Sequence, residues 1–255
     1  MKLIVRSPIS NGMEKTNNTA VASGNSVVDA LFSVGAHFGF VKSRRHPSTK
    51  PFIFGIKNKI EIFDLEKTQE SLKVAEDFIE GLGQRGVQIL FVSGKNEAKT
   101  AITSVAESIN MPYVAGRFIG GTLTNFPEIK KRVEKLESWV SQKEKGELVK
   151  YTKKERLLID REIDKLREFF FGLSVMKKLP EAVFVIDSKK ESIAVKEAHK
   201  MNIPVIALCG TDNNLNDAEI SIPGNDSSKA SITFFLQRMA DAYKAGQLKK
   251  PATTV

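Results

Sequence analysis

The sequence predicts an α/β fold: a parallel sheet with helices on both faces, interrupted by an inserted antiparallel coiled-coil helical hairpin. Three observations predict it. The apolar runs at 87–92, 182–186 and 203–208 are continuous rather than alternating, which marks strands buried on both faces. Helical stretches separate these runs, as parallel strands require. Between the βα units, Ile129, Val133, Leu136 and Val140 step by four, three and four, and so do Ile159, Ile163, Leu166 and Phe170. Both are seams of the kind two packed helices share.

Each element has a local reason. Residues 1–24 are rich in Ser, Asn, Thr and Gly and read as a flexible arm. Ser26-Val-Val-Asp29 has the form of a capping box and predicts a short helix ending near Gly35. Pro47 and Pro51 make the stretch that follows a loop. Strand-like runs at 52–55 and 60–63 flank Ile56-Lys57-Asn58-Lys59, which predicts a β-hairpin with a cationic tip. Asp64 is placed to cap a helix whose apolar positions include Leu65, Leu72, Ala75, Phe78 and Ile79. A strand at 87–92, a helix at 96–109 and a short strand at 113–115 follow. Residues 142–151 contain Gly146 and are short enough for an antiparallel return between the two seams. Further on come a strand at 182–186, a helix at 189–201, a strand at 203–208, a last strand at 219–222 and a closing helix at 226–243. The organisation expected is an arm at 1–24, a discontinuous α/β domain at 25–126 and 179–246, a hairpin protrusion at 127–178 and a flexible tail at 247–255.

Composition narrows the function. With 255 residues and 41% hydrophobic content the chain can build a core. No apolar run approaches the roughly 18 residues of a membrane span, and the one cysteine, Cys209, forms no internal disulfide. A cytoplasmic protein is expected. The formal charge of +9 points toward a polyanion. Its distribution is more telling. Between His37 and Ile60 stand Lys42, Arg44, Arg45, Lys50, Lys57 and Lys59, with no acidic residue. A solvated face normally mixes signs, so this stretch predicts phosphate contact.

Catalytic and cofactor signals are weak beside it. Gly81-Leu-Gly83-Gln-Arg-Gly86 matches G-x-G-x-x-G but follows a helix and precedes a strand, the reverse of a dinucleotide site. Its glycines are expected to end the helix. Ser93-Gly94-Lys95-Asn96 lies between strand and helix but lacks the P-loop's first Gly and its Ser or Thr. His37, His46 and His199 give no metal-ligand spacing, and no metal or cofactor is expected. Arg117-Phe-Ile-Gly-Gly-Thr-Leu-Thr-Asn125 is the most unusual segment. Gly120 and Gly121 allow close backbone approach, Asn125 and the threonines supply hydrogen bonds, and Arg117 can bind phosphate or brace the loop. A nucleotide pocket and a structural turn serve these residues equally. The rival reading is therefore an enzyme binding a phosphorylated small molecule through Arg117, Gly120, Gly121, Thr124 and Asp187.

Six segments, in order, decide between them. They are Val34-Gly-Ala-His-Phe-Gly39, Lys50-Pro-Phe-Ile-Phe-Gly55, the 117–125 segment, Leu179-Pro-Glu-Ala-Val-Phe-Val-Ile-Asp187, Asn202-Ile-Pro-Val-Ile-Ala207 and Ile222-Pro-Gly-Asn-Asp226. Together they resemble the S-two family of bacterial small-subunit ribosomal proteins over about residues 26–246. The resemblance implies a flavodoxin-like or Rossmann-like domain with a coiled-coil insertion, no catalytic activity and a place within the ribosome. It also implies contact with small-subunit ribosomal RNA and neighbouring ribosomal proteins at the head–body junction. Support for recruiting the large mRNA-binding protein of that subunit is implied as well. Arg44, Arg45, Lys50, Lys57, Lys59 and Arg117 are the expected RNA contacts; Gly120, Gly121 and Asn125 are the expected structural loop. No small-molecule substrate and no membrane are expected. The chain departs from the family pattern at Phe40, where a second His is usual, and at Arg45-His-Pro-Ser-Thr49, where a Trp-Asn-Pro-Lys-Met run is usual.

Overall fold

The computed structural model describes residues 22–249, so most of the expected arm and residues 250–255 of the expected tail lie outside the described residues. The first helix, α1 (Ala22–Ser33), opens four residues before Ser26, so Ser26 falls within the helix and not at its start. The cationic stretch is more ordered than its prolines suggest. It contains a strand, β1 (Phe38–Val41), and two short 3-10 turns, Lys42–Arg44 and Pro47–Phe52. Pro47 stands in the first turn of the second, where its missing N–H costs nothing.

The hairpin forms as the sequence indicates, from β2 (Ile53–Lys57) and β3 (Ile60–Phe63). Its two-residue turn is Asn58-Lys59, both at positive φ, the geometry that matches strand twist. With β1 it makes a three-stranded antiparallel sheet in the order β1-β3-β2.

Asp64 caps α2 (Leu65–Arg85), accepting from the Glu66 N–H at 3.2 Å. Gly86 ends that helix in the left-handed region at φ 66°, so the glycine cluster terminates a helix. Then follow β4 (Ile89–Ser93), α3 (Asn96–Ser108) and β5 (Tyr113–Ala115). The hairpin insertion is α4 (Phe126–Glu144) and α5 (Lys153–Phe170). Thr152 and Glu155 form a reciprocal capping box at the start of α5. The chain closes with β6 (Ala182–Ile186), α6 (Ser192–Lys200), β7 (Val205–Cys209), β8 (Ile220–Pro223) and α7 (Lys229–Leu248). Helix α7 continues through Gln247 and Leu248, residues expected to begin the tail, because Tyr243 and Gly246 still pack on α2.

The main sheet is parallel throughout, in the order β5-β4-β6-β7-β8. Counted from β4, that is 2-1-3-4-5, the flavodoxin-like order. The two-residue period of each strand splits the core. Ile89, Phe91, Phe184, Ile186, Ile206 and Leu208 pack with α2, α3 and α7. Leu90, Val92, Val183, Val185, Val205 and Ala207 pack with α6 and with the base of the hairpin. The hairpin is thus a protrusion at its tip and a layer of the body at its base.

Candidate nucleic-acid interface

The small sheet is fastened to the carboxyl end of the large one. Thr211, fully buried just after β7, is the fastening point. Its carbonyl accepts from the His46 N–H at 2.8 Å and the Thr49 hydroxyl at 3.1 Å, and its own hydroxyl oxygen accepts from the Phe40 N–H at 2.9 Å. Sequence reading missed Thr211, since nothing in an isolated Gly-Thr-Asp turn announces a partner more than 150 residues away.

This unit carries the expected cations. Lys50, Lys57, Lys59 and Arg44 are exposed and make no ion pair among the described residues. Lys57 precedes the hairpin turn and Lys59 is its second residue, and Arg44 lies over the Phe40 ring with its guanidinium carbon 5.0 Å from the centroid. Arg45 is different. Its Nη1 donates to Oε1 of the fully buried Glu61 at 3.0 Å. Arg45 is therefore committed to an internal carboxylate, and its loss would strand a buried charge at a cost of about 3 kcal/mol or more. The window read as free of acidic residues ends one position before this partner.

Arg117 stands apart from the other cations. It is exposed on the loop after β5, the far edge strand, whereas the small sheet sits beside β7 and β8. At roughly 4.8 Å per strand, β5 and β8 are about 19 Å apart. The cations therefore share the carboxyl end of the sheet without forming one cluster.

Arg117 does not brace the glycine loop; Glu197 of α6 does. The Glu197 carboxylate accepts from the Gly121 N–H, from the Leu123 N–H at 3.0 Å and from the Thr124 N–H at 3.2 Å. Gly121 sits at φ +93°, where a side chain would be strained. Phe118 and Leu123 are buried and anchor the loop from below. Asn125 takes the N-cap position of α4 without a side-chain cap bond, and its N–H donates to the Gly121 carbonyl at 2.8 Å. Sequence reading found the loop and missed Glu197, a charged residue in an ordinary amphipathic helix.

The crevice where a 2-1-3-4-5 sheet binds its ligand lies between the carboxyl ends of β4 and β6. Here it is filled from within. The Lys95 ammonium lies 2.9 Å from Asp187 Oδ2 and 2.7 Å from Asp226 Oδ2 and donates to the Asp226 carbonyl at 3.0 Å. Burial works against this cation, but the two carboxylates outweigh it and hold its pKa above the ordinary lysine value. Beside it Glu191 accepts from the Gly94 N–H at 2.7 Å, while burial raises its pKa. Asp187, at φ 68°, also accepts from the Lys190 N–H at 3.0 Å.

The enzyme reading thus fails to assemble: Asp187 is held by Lys95, the glycine-loop amides by Glu197, and Arg117 bonds to neither. Among the described residues no group of three or more His, Cys, Asp or Glu is arranged to hold a metal ion, and no helix is long and apolar enough to cross a membrane.

Comparison with known proteins agrees with this geometry. The family model for ribosomal protein S2 matches residues 31–246. The small ribosomal subunit protein uS2 of a Nitratiruptor species is 41% identical over 217 residues, covering 85% of this chain and 81% of that protein. Those of Helicobacter acinonychis and Thermus thermophilus are 40% and 41% identical over 217 and 214 residues. These alignments cover 85% and 84% of this chain, and 88% and 84% of those proteins. The chain belongs to the ribosomal protein S2 family, a non-enzymatic family of the small ribosomal subunit.

Proposed function

We propose that this chain is a structural constituent of the small ribosomal subunit, seated at the junction of head and body in the cytoplasm. In this reading Arg44, Lys50, Lys57 and Lys59 make sequence-independent phosphate contacts with ribosomal RNA, and Arg117 makes a second point of contact at the far edge of the sheet. The hairpin at 127–178 meets neighbouring ribosomal proteins, and the chain supports recruitment of the large mRNA-binding protein. No cofactor or small-molecule substrate is involved. The observation that carries the reading is family membership over residues 31–246. The cations of the small sheet and its adjoining turns, unpaired among the described residues, support the RNA contacts.

The test is sedimentation of a cell lysate through a density gradient at low and moderately raised salt. The chain is expected to migrate with small subunits and whole ribosomes at both. Migration as free protein at both salts would sink the reading. Replacing Arg44, Lys50, Lys57 and Lys59 by Gln should reduce the slope of log affinity against log salt by about 3, at roughly 0.7–0.9 per lost phosphate contact. Arg45 stays out of that variant, because its partner is Glu61 rather than solvent.

A further inference from the structure

Phe40, whose ring carries the Arg44 guanidinium over it, lines a cavity that the fold does not use. It has a volume of about 290 Å³ and is open to solvent. Phe38, Gly39 and Phe40 form one wall; residues 225–228 form the other. Both walls are rigid. The Phe40 N–H donates to Thr211 Oγ1 at 2.9 Å, and a Cβ added at Gly39 would come within 2.4 Å of the Thr211 methyl carbon. Opposite, Asn225 donates through its backbone N–H to the Ala36 carbonyl and through Nδ2 to the Gly35 carbonyl, both at 2.9 Å.

The chemistry of this place is mixed in an informative way. An aromatic ring with a guanidinium over it offers a stacking platform that also attracts phosphate. The Ser228 hydroxyl lines the cavity and makes no hydrogen bond among the described residues. Asp226 lines it too, but its carboxylate is buried against the Lys95 ammonium and accepts from the Ser227 hydroxyl at 3.2 Å. An aliphatic side chain would use neither the cation nor the hydroxyl. A nucleobase uses all of them: a π-face for Phe40, polar edges for the serines, and a phosphate that stays outside beside Arg44.

We propose that this cavity takes one unpaired RNA base, stacked on the Phe40–Arg44 pair with its polar edge toward residues 225–228. The inference rests on the reading of the chain as an RNA-bound ribosomal component and adds to it the class of ligand and its seat.

Small subunits carrying the wild-type chain, Phe40→Leu, Phe40→Trp or Arg44→Gln are compared by chemical probing of unpaired bases with dimethyl sulfate and kethoxal. One base is expected to be protected in the wild type and in Phe40→Trp. Its reactivity should rise roughly tenfold in Phe40→Leu, as the loss of one base stack entails. Arg44→Gln, an exposed change outside the core, should raise it in the same place even if Phe40→Leu disturbs β1. Equal reactivity in all four, with normal co-sedimentation, would overturn this inference alone. Absence of the wild-type chain from small subunits would overturn it together with the proposed function.

Discussion

His37 lies between two phenylalanine rings, 4.5 Å from the Phe32 centroid and 4.0 Å from that of Phe38. It is buried, but its Nδ1 has no hydrogen-bond partner among the described residues, and ring stacking takes the place of a polar bond. Burial, with help from Lys57, lowers its pKa below the ordinary 6.5. The unfolded chain therefore binds this proton more tightly than the folded one. The stabilisation from neutral His37 is present above pH 6.5 and is lost as pH falls below it, toward the lower folded value. The folded chain should lose stability over that interval, measured as the urea midpoint against pH. His37→Phe keeps the stack and removes the titration, so its midpoint should fall less steeply below pH 6.5. Identical pH profiles for the two would show that His37 carries none of the dependence.

Towards their carboxyl ends helices α2 and α7 approach through glycines, while elsewhere Leu72, Ile79, Phe235 and Met239 share one buried cluster and Arg238 pairs with Glu76 at 2.6 Å. A Cβ on Gly246 would lie 2.1 Å from the Glu80 carbonyl oxygen, and one on Gly83 would lie 2.3 Å from that of Tyr243. The contact is backbone on backbone, sealed by the Tyr243 hydroxyl donating to the Val87 carbonyl at 3.0 Å. Gly246→Ala should gain roughly 1 kcal/mol in helix propensity. It should lose more to overpacking, typically about 1–3 kcal/mol and here near the upper end because backbone cannot step aside. A net fall in unfolding free energy by denaturant titration is expected; a more stable variant would show that the helices separate at little cost. The sequence announced α2 through its apolar period and its Gly86 stop. It did not announce the use of Gly83, because a helical glycine looks alike whether it meets solvent or another helix. The same limit hid β1: its four residues, Phe38–Val41, carry no alternation strong enough to stand out among prolines and cations.

For the molecule as a whole, the insertion is where sequence and structure divide. The seams at 129–140 and 159–170 foretold a helical pair, and α4 and α5 form it. A boundary drawn at 127 and 178 makes the hairpin look detachable, yet its base belongs to the core under β4, β5 and β6. Gly172 abuts the Tyr113 carbonyl so closely that an added Cβ would lie 2.3 Å away, and Gln88 donates to the Val175 carbonyl at 2.9 Å. Replacing residues 127–178 with a short linker should uncover Leu90, Val114 and Phe118 and cost more than about 3 kcal/mol, at roughly 1.5–3 kcal/mol per uncovered large side chain. Replacing only 138–158 with a turn should leave the body's cooperative unfolding nearly unchanged. Equal stability of the two deletions would mean the hairpin is an appendage throughout. Strand order and the small sheet's seat on Thr211 were beyond sequence reading, since both depend on contacts between distant segments. The cationic residues themselves were legible, because charge needs no partner to be seen. Arg45 shows the converse limit: its charge was visible and its Glu61 partner was not.

The Glu197 carboxylate and the three amides it receives have a consequence for association. Three convergent N–H groups make a nest for an anion, and in this chain the anion is already covalently attached. The loop that carries Arg117 is therefore set before any nucleic acid arrives. In the proposed RNA contact its backbone would give up little further freedom, so an attraction between Arg117 and a phosphate would go into affinity instead of ordering the loop.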